Sequence, residues 1–169
     1  MTSRTKLVWV AVLYFVEGFP FGLIHNALPV FFRTHGVGLK EIGLMSLVSL
    51  PWTLKFLWAP AVDAVWTMRR WFVSCQVLLV AAIAVLPWLN PGGGGLALWA
   101  PLLAIALFSA TQDIAIDAYT IRLLDERELG MANGVRVTTY RIALIVAGGV
   151  FVAAAGWLGW TSTFILGAG

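Results

Sequence analysis

The feature that most constrains this chain is a series of long apolar stretches separated by short polar connections. Five of these stretches are about 20 residues long or longer, which is the length that an α-helix needs to cross a bilayer. They cover residues 7–30, 41–62, 71–89, 97–121 and 131–157, and a sixth begins at 160 and runs to 169. The pattern predicts an all-α polytopic membrane helix bundle in one transmembrane domain, with five complete spans and part of a sixth.

The composition excludes the common soluble classes of protein. Of the 169 residues, 60% are hydrophobic and 11% are charged, whereas about a quarter of the residues of a soluble domain are charged. A chain of this length has too little interior to hide that much apolar surface from water. A soluble enzyme, a disordered tail and a nucleic-acid-binding protein are therefore excluded as interpretations.

No pattern of catalytic or metal-binding residues stands out. Cys75 is the only cysteine, so the chain has no intrachain disulfide and no metal site built from cysteines. His25 and His35 do not form an HExxH motif, and the glycines at 92–95 lack the Lys and Ser or Thr of a phosphate-binding loop. We expect neither a metal nor a cofactor, and we do not expect an enzyme.

Positively charged residues in the connections indicate the orientation, because Lys and Arg are retained on the cytoplasmic side of a membrane. Six of them fall on the side that carries the N-terminus, and these are Arg4, Lys6, Arg69, Arg70, Arg122 and Arg127. The opposite side has Arg33 and Lys40, and the short turn at 90–95 has none. We therefore expect the N-terminus to lie in the cytoplasm.

Six ionisable residues fall inside the predicted spans. They are Glu17, Lys55, Asp113, Asp117, Arg136 and Arg141. An isolated charge at the centre of a bilayer costs at least about 2.5–3.5 kcal/mol. Because three of the six are acidic and three are basic, we expect them to face the interior of the bundle and to pair there.

The depth of each residue along its helix predicts the partners. The fourth and fifth spans run antiparallel and both rise about 1.5 Å per residue, which places Asp113 level with Arg141 and Asp117 level with Arg136. Asp113 and Asp117 are four residues apart and share one face of their helix. Arg136 and Arg141 are five apart and diverge around theirs, so the two pairs cannot be equally direct.

Two roles follow for these residues. Intramembrane acids often mark a substrate or proton path, and we assign that path to the midplane set Glu17, Asp113 and Arg141. We assign Asp117, Arg136 and Lys55 to intramembrane charge pairs. Charge clamps that hold helices together and move nothing remain the alternative for both sets. Residues 18–22 (GFPFG) also predict an interruption of the first helix beside Glu17, and Pro51 predicts an interruption or a simple kink of the second.

Three blocks of sequence resemble a known family. Residues 54–63 (LKFLWAPAVD), 109–117 (SATQDIAID) and 18–22 (GFPFG) are similar to major facilitator transporters, and most of all to AmpG-type muropeptide permeases and acetyl-coenzyme A transporters. The likeness runs from about residue 10 to 150. It implies a twelve-helix transporter made of two six-helix halves, and this chain is most of the first half. The C-terminal half of the same protein is then a missing partner.

The resemblance also implies where gating and binding occur. Asp63, Arg69 and Arg70 match the loop between helices two and three, which helps to gate the cytoplasmic side in that superfamily. Helices one and four line the central cavity, which agrees with the positions of Glu17 and Asp113.

The leading hypothesis is a secondary active transporter in a bacterial inner membrane. It imports a muropeptide-like or siderophore-like solute by alternating access, coupled to protons. Its partners are that small-molecule solute, protons and the lipid bilayer, and nucleic acid is not among them. A membrane-embedded enzyme and a non-transporting or channel-like subunit formed by a truncated half stay open as alternatives.

Overall fold

The computed structural model describes residues 2–89 and 96–168, and these residues form seven helices and no strand. The helices are α1 (Ser3–Thr34), α2 (Leu39–Leu57), α3 (Ala59–Val65), α4 (Met68–Trp88), α5 (Leu96–Leu123), α6 (Glu126–Leu158) and α7 (Trp160–Ala168). The predicted turn at 90–95 and the last residue of the sixth stretch lie outside the described residues. The predicted class, an all-α membrane helix bundle, is confirmed.

Four of these helices, α1, α4, α5 and α6, are long and apolar enough to cross a membrane, and α2 with α3 provides a fifth. The crossing expected over 41–62 is bent, but not at Pro51, because α2 and α3 meet at a 57° bend around Trp58. Pro60 follows the bend directly. A proline has no N–H to bond the carbonyl four residues earlier, and its ring clashes with that carbonyl, so a helix bends or ends there.

Helices α1 and α6 pack closely along a seam of small residues. A Cβ added to Gly18 would lie 2.9 Å from Cβ of Ala143, and one added to Gly22 would lie 2.8 Å from Cβ of Ala147. Small residues allow helix backbones to approach each other in a membrane. The helix continues through 18–22, where both glycines serve packing, and the departure from regular α-helix comes directly after that segment, as a π-helical turn at Leu23–Ala27.

The apolar core occupies the part of the bundle farther from the N-terminus. It joins α1, α4, α5, α6 and α7 through buried side chains that include Leu23, Leu28, Phe31, Leu79, Ile83, Leu102, Ile105, Phe151 and Phe164. Van der Waals packing of this kind holds helices together where lipid is the solvent. The buried polar residues of α1 and α5 lie mostly between this core and the N-terminal end of the bundle.

Candidate functional site

Five ionisable side chains from four helices converge inside the bundle. We call them the buried cluster, and it consists of Glu17 (α1), Lys55 (α2), Asp113 and Asp117 (α5) and Arg136 (α6). The two aspartates share one face of α5 because they are one helical turn apart. Lys55 reaches them from the last turn of α2, where the helix narrows to a 3₁₀ turn at Lys55–Leu57 just before the bend.

Asp117 has the most partners in the buried cluster. Its Oδ1 lies 3.3 Å from Nη2 of Arg136 and accepts a hydrogen bond of 2.6 Å from the hydroxyl of Tyr14. Its Oδ2 lies 3.9 Å from Nζ of Lys55. The guanidinium carbon of Arg136 also lies 4.7 Å from the centroid of the Tyr14 ring, within the range of a cation–π interaction. The contact between Asp117 and Arg136 is the one that their depths predict.

Asp113 and Glu17 are the less satisfied acids. Asp113 is 5% exposed, and its Oδ2 lies 3.6 Å from Nζ of Lys55, while its Oδ1 has no hydrogen-bond partner. Glu17 is 6% exposed, forms no ion pair with any residue that the structure describes, and its Oε2 also lacks a partner. It lies within electrostatic range of the other four members of the buried cluster. Polar groups left in this state are costly to bury.

The buried cluster does not balance its charge when every group is ionised. It holds three carboxylates, from Glu17, Asp113 and Asp117, against two cations, from Lys55 and Arg136. The sum is one negative charge. Glu17 and Asp113 are the enclosed members, and a negative charge left on either of them is expensive, whereas one bound proton or one cation removes it.

The sequence predicts six intramembrane charges that sum to zero. The buried cluster differs from that set because Arg141 is not part of it. Its side chain is exposed, and within residues 2–89 and 96–168 it forms no ion pair with Asp113. The depth of Arg141 along α6 matches that of Asp113, but five residues turn a helix through about 500°, so Arg141 lies about 140° around α6 from Arg136. The cation beside Asp113 is instead Lys55.

A cavity opens beside the buried cluster toward the N-terminal end of the bundle. Its volume is about 360 Å³, and its walls include Tyr14, Asp117, Thr120, Asn133 and Arg136 from α1, α5 and α6. Asp117 and its partners therefore face open space rather than a packed interior. In the described part of the chain no group of His, Cys, Asp or Glu has the arrangement of a metal site.

Three consecutive residues of the block at 109–117 connect α5 to three different places. The hydroxyl of Thr111 accepts a hydrogen bond of 3.2 Å from Nε1 of Trp58, at the bend between α2 and α3. The side chain of Gln112 donates to Oε1 of Gln76 on α4 at 2.8 Å. Asp113 pairs with Lys55 on α2. These contacts explain why positions 111–113 of the block carry polar side chains.

A second group of charged residues, which the sequence reasoning missed, lies at the N-terminal end of α1. We call Lys6, Asp125 and Glu128 the terminal latch. Nζ of Lys6 lies 2.6 Å from Oδ2 of Asp125 and 2.9 Å from Oε2 of Glu128, and the hydroxyl of Ser3 donates to Glu128. The capping box formed by Asp125 and Glu128 at the start of α6 was the available signal.

The predicted gating residues lie at this same end of the bundle. Asp63 is on α3, and Arg69 and Arg70 are in the first turn of α4, where the side chain of Thr67 accepts the backbone N–H of Arg70 at 3.4 Å. All three charged side chains are exposed. None of them is ion-paired with another described residue, and their gating role stays a prediction.

The chain is similar to one known family and to several individual proteins. The profile of the acetyl-coenzyme A transporter 1 family matches residues 6–90. The anhydromuropeptide permease of Escherichia coli (strain K12) is 34% identical over 161 residues, which cover 92% of this chain and 33% of that protein. An uncharacterized protein of Haemophilus influenzae is 33% identical over 165 residues, covering 95% of this chain and 39% of the relative.

A third relative is more distant. The putative transporter AmpG 1 of Rickettsia bellii is 28% identical over 156 residues, which cover 87% of this chain and 38% of that protein. The chain thus spans about a third to two fifths of the length of these relatives.

Proposed function

Because the chain belongs to the acetyl-coenzyme A transporter 1 family, we propose that it is the N-terminal part of a secondary active transporter that imports a solute across a bacterial inner membrane. The names of two relatives, a permease and a putative transporter, support transport as the activity. The chain covers 33% of the permease, so the proposal includes a longer protein with further helices beyond those described here.

The proposed architecture is the first half of a major facilitator fold with its N-terminus in the cytoplasm. Six basic residues on the side of the N-terminus against two on the other support that orientation. The start of α1 lies beside the turn between α5 and α6, so the basic residues of both segments count toward the same side. Asp63, Arg69 and Arg70 would then gate the cytoplasmic end.

The proposed cargo is a muropeptide-like solute, and a siderophore-like solute is the alternative within the same mechanism. The name of the relative in Escherichia coli supports the first of these. The proposed path runs between α1, α2, α5 and α6, where Glu17, Asp113 and Asp117 meet Lys55 and Arg136.

The observation that carries the proposed proton coupling is the excess of one negative charge in the buried cluster. With one carboxyl group protonated, two carboxylates face two cations and the cluster is neutral. A neutral cluster is cheaper to enclose in a dry bundle than a charged one. Protonation would therefore favour the closed state of the transporter over a state open to water, since a ligand shifts an equilibrium by its differential affinity for the states.

Substituting one carboxyl group in the protein that the complete gene encodes tests this proposal. Asp113→Asn leaves two carboxylates against two cations in every state, so we expect downhill exchange of labelled anhydromuropeptide to continue and accumulation driven by a pH gradient to disappear. Asp125→Asn is the matched control, because the Asp125 side chain is 78% exposed in the terminal latch. Undiminished proton-driven accumulation by Asp113→Asn would remove Asp113 as a coupling residue, and absence of any uptake by the parent protein would contradict the transporter.

A further inference from the structure

One arginine at membrane depth has no partner in the part of the chain that the structure describes. Arg141 lies at the middle of α6, which runs from Glu126 to Leu158, and its side chain is exposed. It forms no salt bridge with any residue in 2–89 or 96–168. Every other arginine lies near a helix end, except Arg136, which pairs with Asp117.

Arg141 lies on the side of α6 that is turned away from α1. Two residues turn an α-helix through about 200°, so Arg141 is about 160° around α6 from Ala143. Ala143 is the residue that packs against Gly18 of α1. On α6, the cavity beside the buried cluster is bounded by residues that include Asn133 and Arg136, and Arg141 is not in its wall. The side of α6 that carries Arg141 therefore faces neither α1 nor that cavity.

The neighbours of Arg141 on this side form a narrow row, in which Gly130 and Gly134 lie within about 20° of Arg141 around the helix and Thr138 and Ile145 within about 60°. We call these five residues the outer face of α6, and all five are exposed. A Cβ added to either glycine would meet nothing within 4 Å. Glycine in the middle of a helix is destabilising relative to alanine, and no contact among the described residues requires it here.

Lipid is an unfavourable neighbour for the outer face of α6. The middle of a bilayer lies about 15 Å from either surface of the hydrocarbon, which is too far for the Arg141 side chain to reach water. Charged side chains within spans therefore face protein or water and pair with an opposite charge. Glycines spaced four apart, as Gly130 and Gly134 are, are typical of surfaces where a second helix approaches closely. These features together indicate a helix that carries a negative charge.

A second copy of this chain does not supply that charge. Most homo-oligomers are closed by a twofold axis, and a twofold contact brings the same surface of both copies together. If the axis is perpendicular to the membrane, residues of equal depth meet, so Arg141 of one copy would face Arg141 of the other. Two guanidinium groups in a region of low dielectric constant repel each other.

We propose that the outer face of α6 binds a helix from the remaining length of the transporter, and that this helix carries an Asp or Glu opposite Arg141. This inference rests on the proposed function, since the chain covers 33% of the Escherichia coli permease and further helices are part of that proposal. A carboxylate matches the planar guanidinium with two parallel hydrogen bonds. Gly130 and Gly134 allow the backbone of the partner helix to come close. The outer face is then a contact between the described bundle and the rest of the protein.

Charge reversal in the protein encoded by the complete gene tests the ion pair. We expect Arg141→Glu to lower the melting temperature in detergent by about 5 °C or more, because it sets two carboxylates against each other in a buried contact. Replacing one acidic residue in the apolar stretches of the remaining sequence by Arg is expected to recover the loss. Lys40→Glu is the control, because Lys40 is exposed in the first turn of α2. An unchanged melting temperature in Arg141→Glu, or a loss that no such replacement recovers, would overturn the proposal.

A nitroxide spin label identifies what covers the outer face. On Thr138→Cys, in the complete protein with Cys75→Ala and in lipid, we expect the label to be protected both from oxygen and from a water-soluble nickel chelate. A label on Trp157→Cys is the accessible control, because Trp157 is 92% exposed.

Collision of the label at 138 with oxygen would mean lipid on the outer face, collision with the chelate would mean a wet cavity, and coupling between labels on two chains would mean a second copy. Each of these results would overturn the proposal. Neither the label nor the melting temperature depends on uptake, so absence of transport by the parent would contradict the proposed function without changing these results.

Discussion

The buried cluster and the terminal latch have the same charge and different surroundings. The latch sets Lys6 against Asp125 and Glu128, an excess of one negative charge, and the Asp125 side chain is 78% exposed. The buried cluster has the same excess, but Glu17 and Asp113 are 6% and 5% exposed. The two groups differ at their acids that lack a cation of their own: Asp125 is open to solvent in the latch, although Lys6 and Glu128 are only 13% and 15% exposed, whereas Glu17 and Asp113 are enclosed in a cluster whose other members are 30–46% exposed. An unbalanced charge is therefore expensive at Glu17 and Asp113, where solvent is excluded, and cheap at Asp125.

Substituting the lysine of each group is expected to give the largest difference in stability between the two groups. Lys55→Met leaves three carboxylates against one cation, and loss of one partner of a buried pair costs about 3–5 kcal/mol. Because the Lys55 side chain is 33% exposed, we expect a loss near the lower end of that range, measured as the free energy of unfolding in detergent. Lys6→Met is expected to cost less, because the Asp125 carboxylate that it leaves without a cation is 78% exposed and stays hydrated.

A double substitution checks the cause of that loss. Lys55→Met with Asp113→Asn restores the parental excess of one negative charge, so we expect the double variant to be more stable than the sum of the two single effects predicts, which is non-additivity between neighbouring sites. Simple addition of the two single effects would contradict charge imbalance as the cause.

The contact between α1 and α6 provides a smaller effect of a different kind. Gly22→Ala places a methyl group 2.8 Å from Cβ of Ala147, whereas Gly149→Ala on α6 meets nothing within 4 Å. Overpacking costs about 1–3 kcal/mol, so we expect Gly22→Ala to lower the unfolding free energy by that amount and Gly149→Ala to leave it unchanged or raise it. Equal effects of the two substitutions would mean that the seam does not set the distance between the helices that hold Tyr14 and Arg136.

Added salt is expected to have the smallest effect on the stability of these variants. Exposed ion pairs weaken as the Debye length shortens, and partly buried pairs are screened much less. We expect the small difference in stability between the parent and Lys6→Met to vanish in about 1 M salt, while the difference for Lys55→Met persists. If the effect of Lys55→Met on stability disappeared in the same salt, the buried cluster would have to be in contact with bulk solvent.

Much of the fold follows from the sequence because apolar length and helical rise are local properties. The spans over 7–30, 71–89, 97–121 and 131–157 fall within or close to the bounds of α1, α4, α5 and α6, and the depth of Asp117 matches that of Arg136. The bend around Trp58 was not predicted, although Pro60 was visible in the sequence.

The site was harder to predict because contact also depends on rotation about each helix. Depth alone assigned Arg141 to Asp113, but Arg141 lies on another side of α6 and Lys55 takes its place. Without Arg141, the charges that meet inside the bundle sum to minus one instead of zero. The sum combines residues from four helices, so it cannot be read from the sequence of any one of them. The terminal latch joins residues more than 100 positions apart, and its Lys6 looked like an ordinary basic residue at a cytoplasmic terminus.

The most direct test of the account counts the protons in the buried cluster by infrared spectroscopy of the purified protein in lipid at neutral pH. The carbonyl stretch of a protonated carboxyl group is expected in the parent and in Asp125→Asn. It is expected to vanish in Asp113→Asn and equally in Glu17→Gln, because either substitution leaves two carboxylates to balance Lys55 and Arg136. A parent spectrum without that band, or a band that survives both substitutions, would contradict the charge excess as the seat of proton coupling.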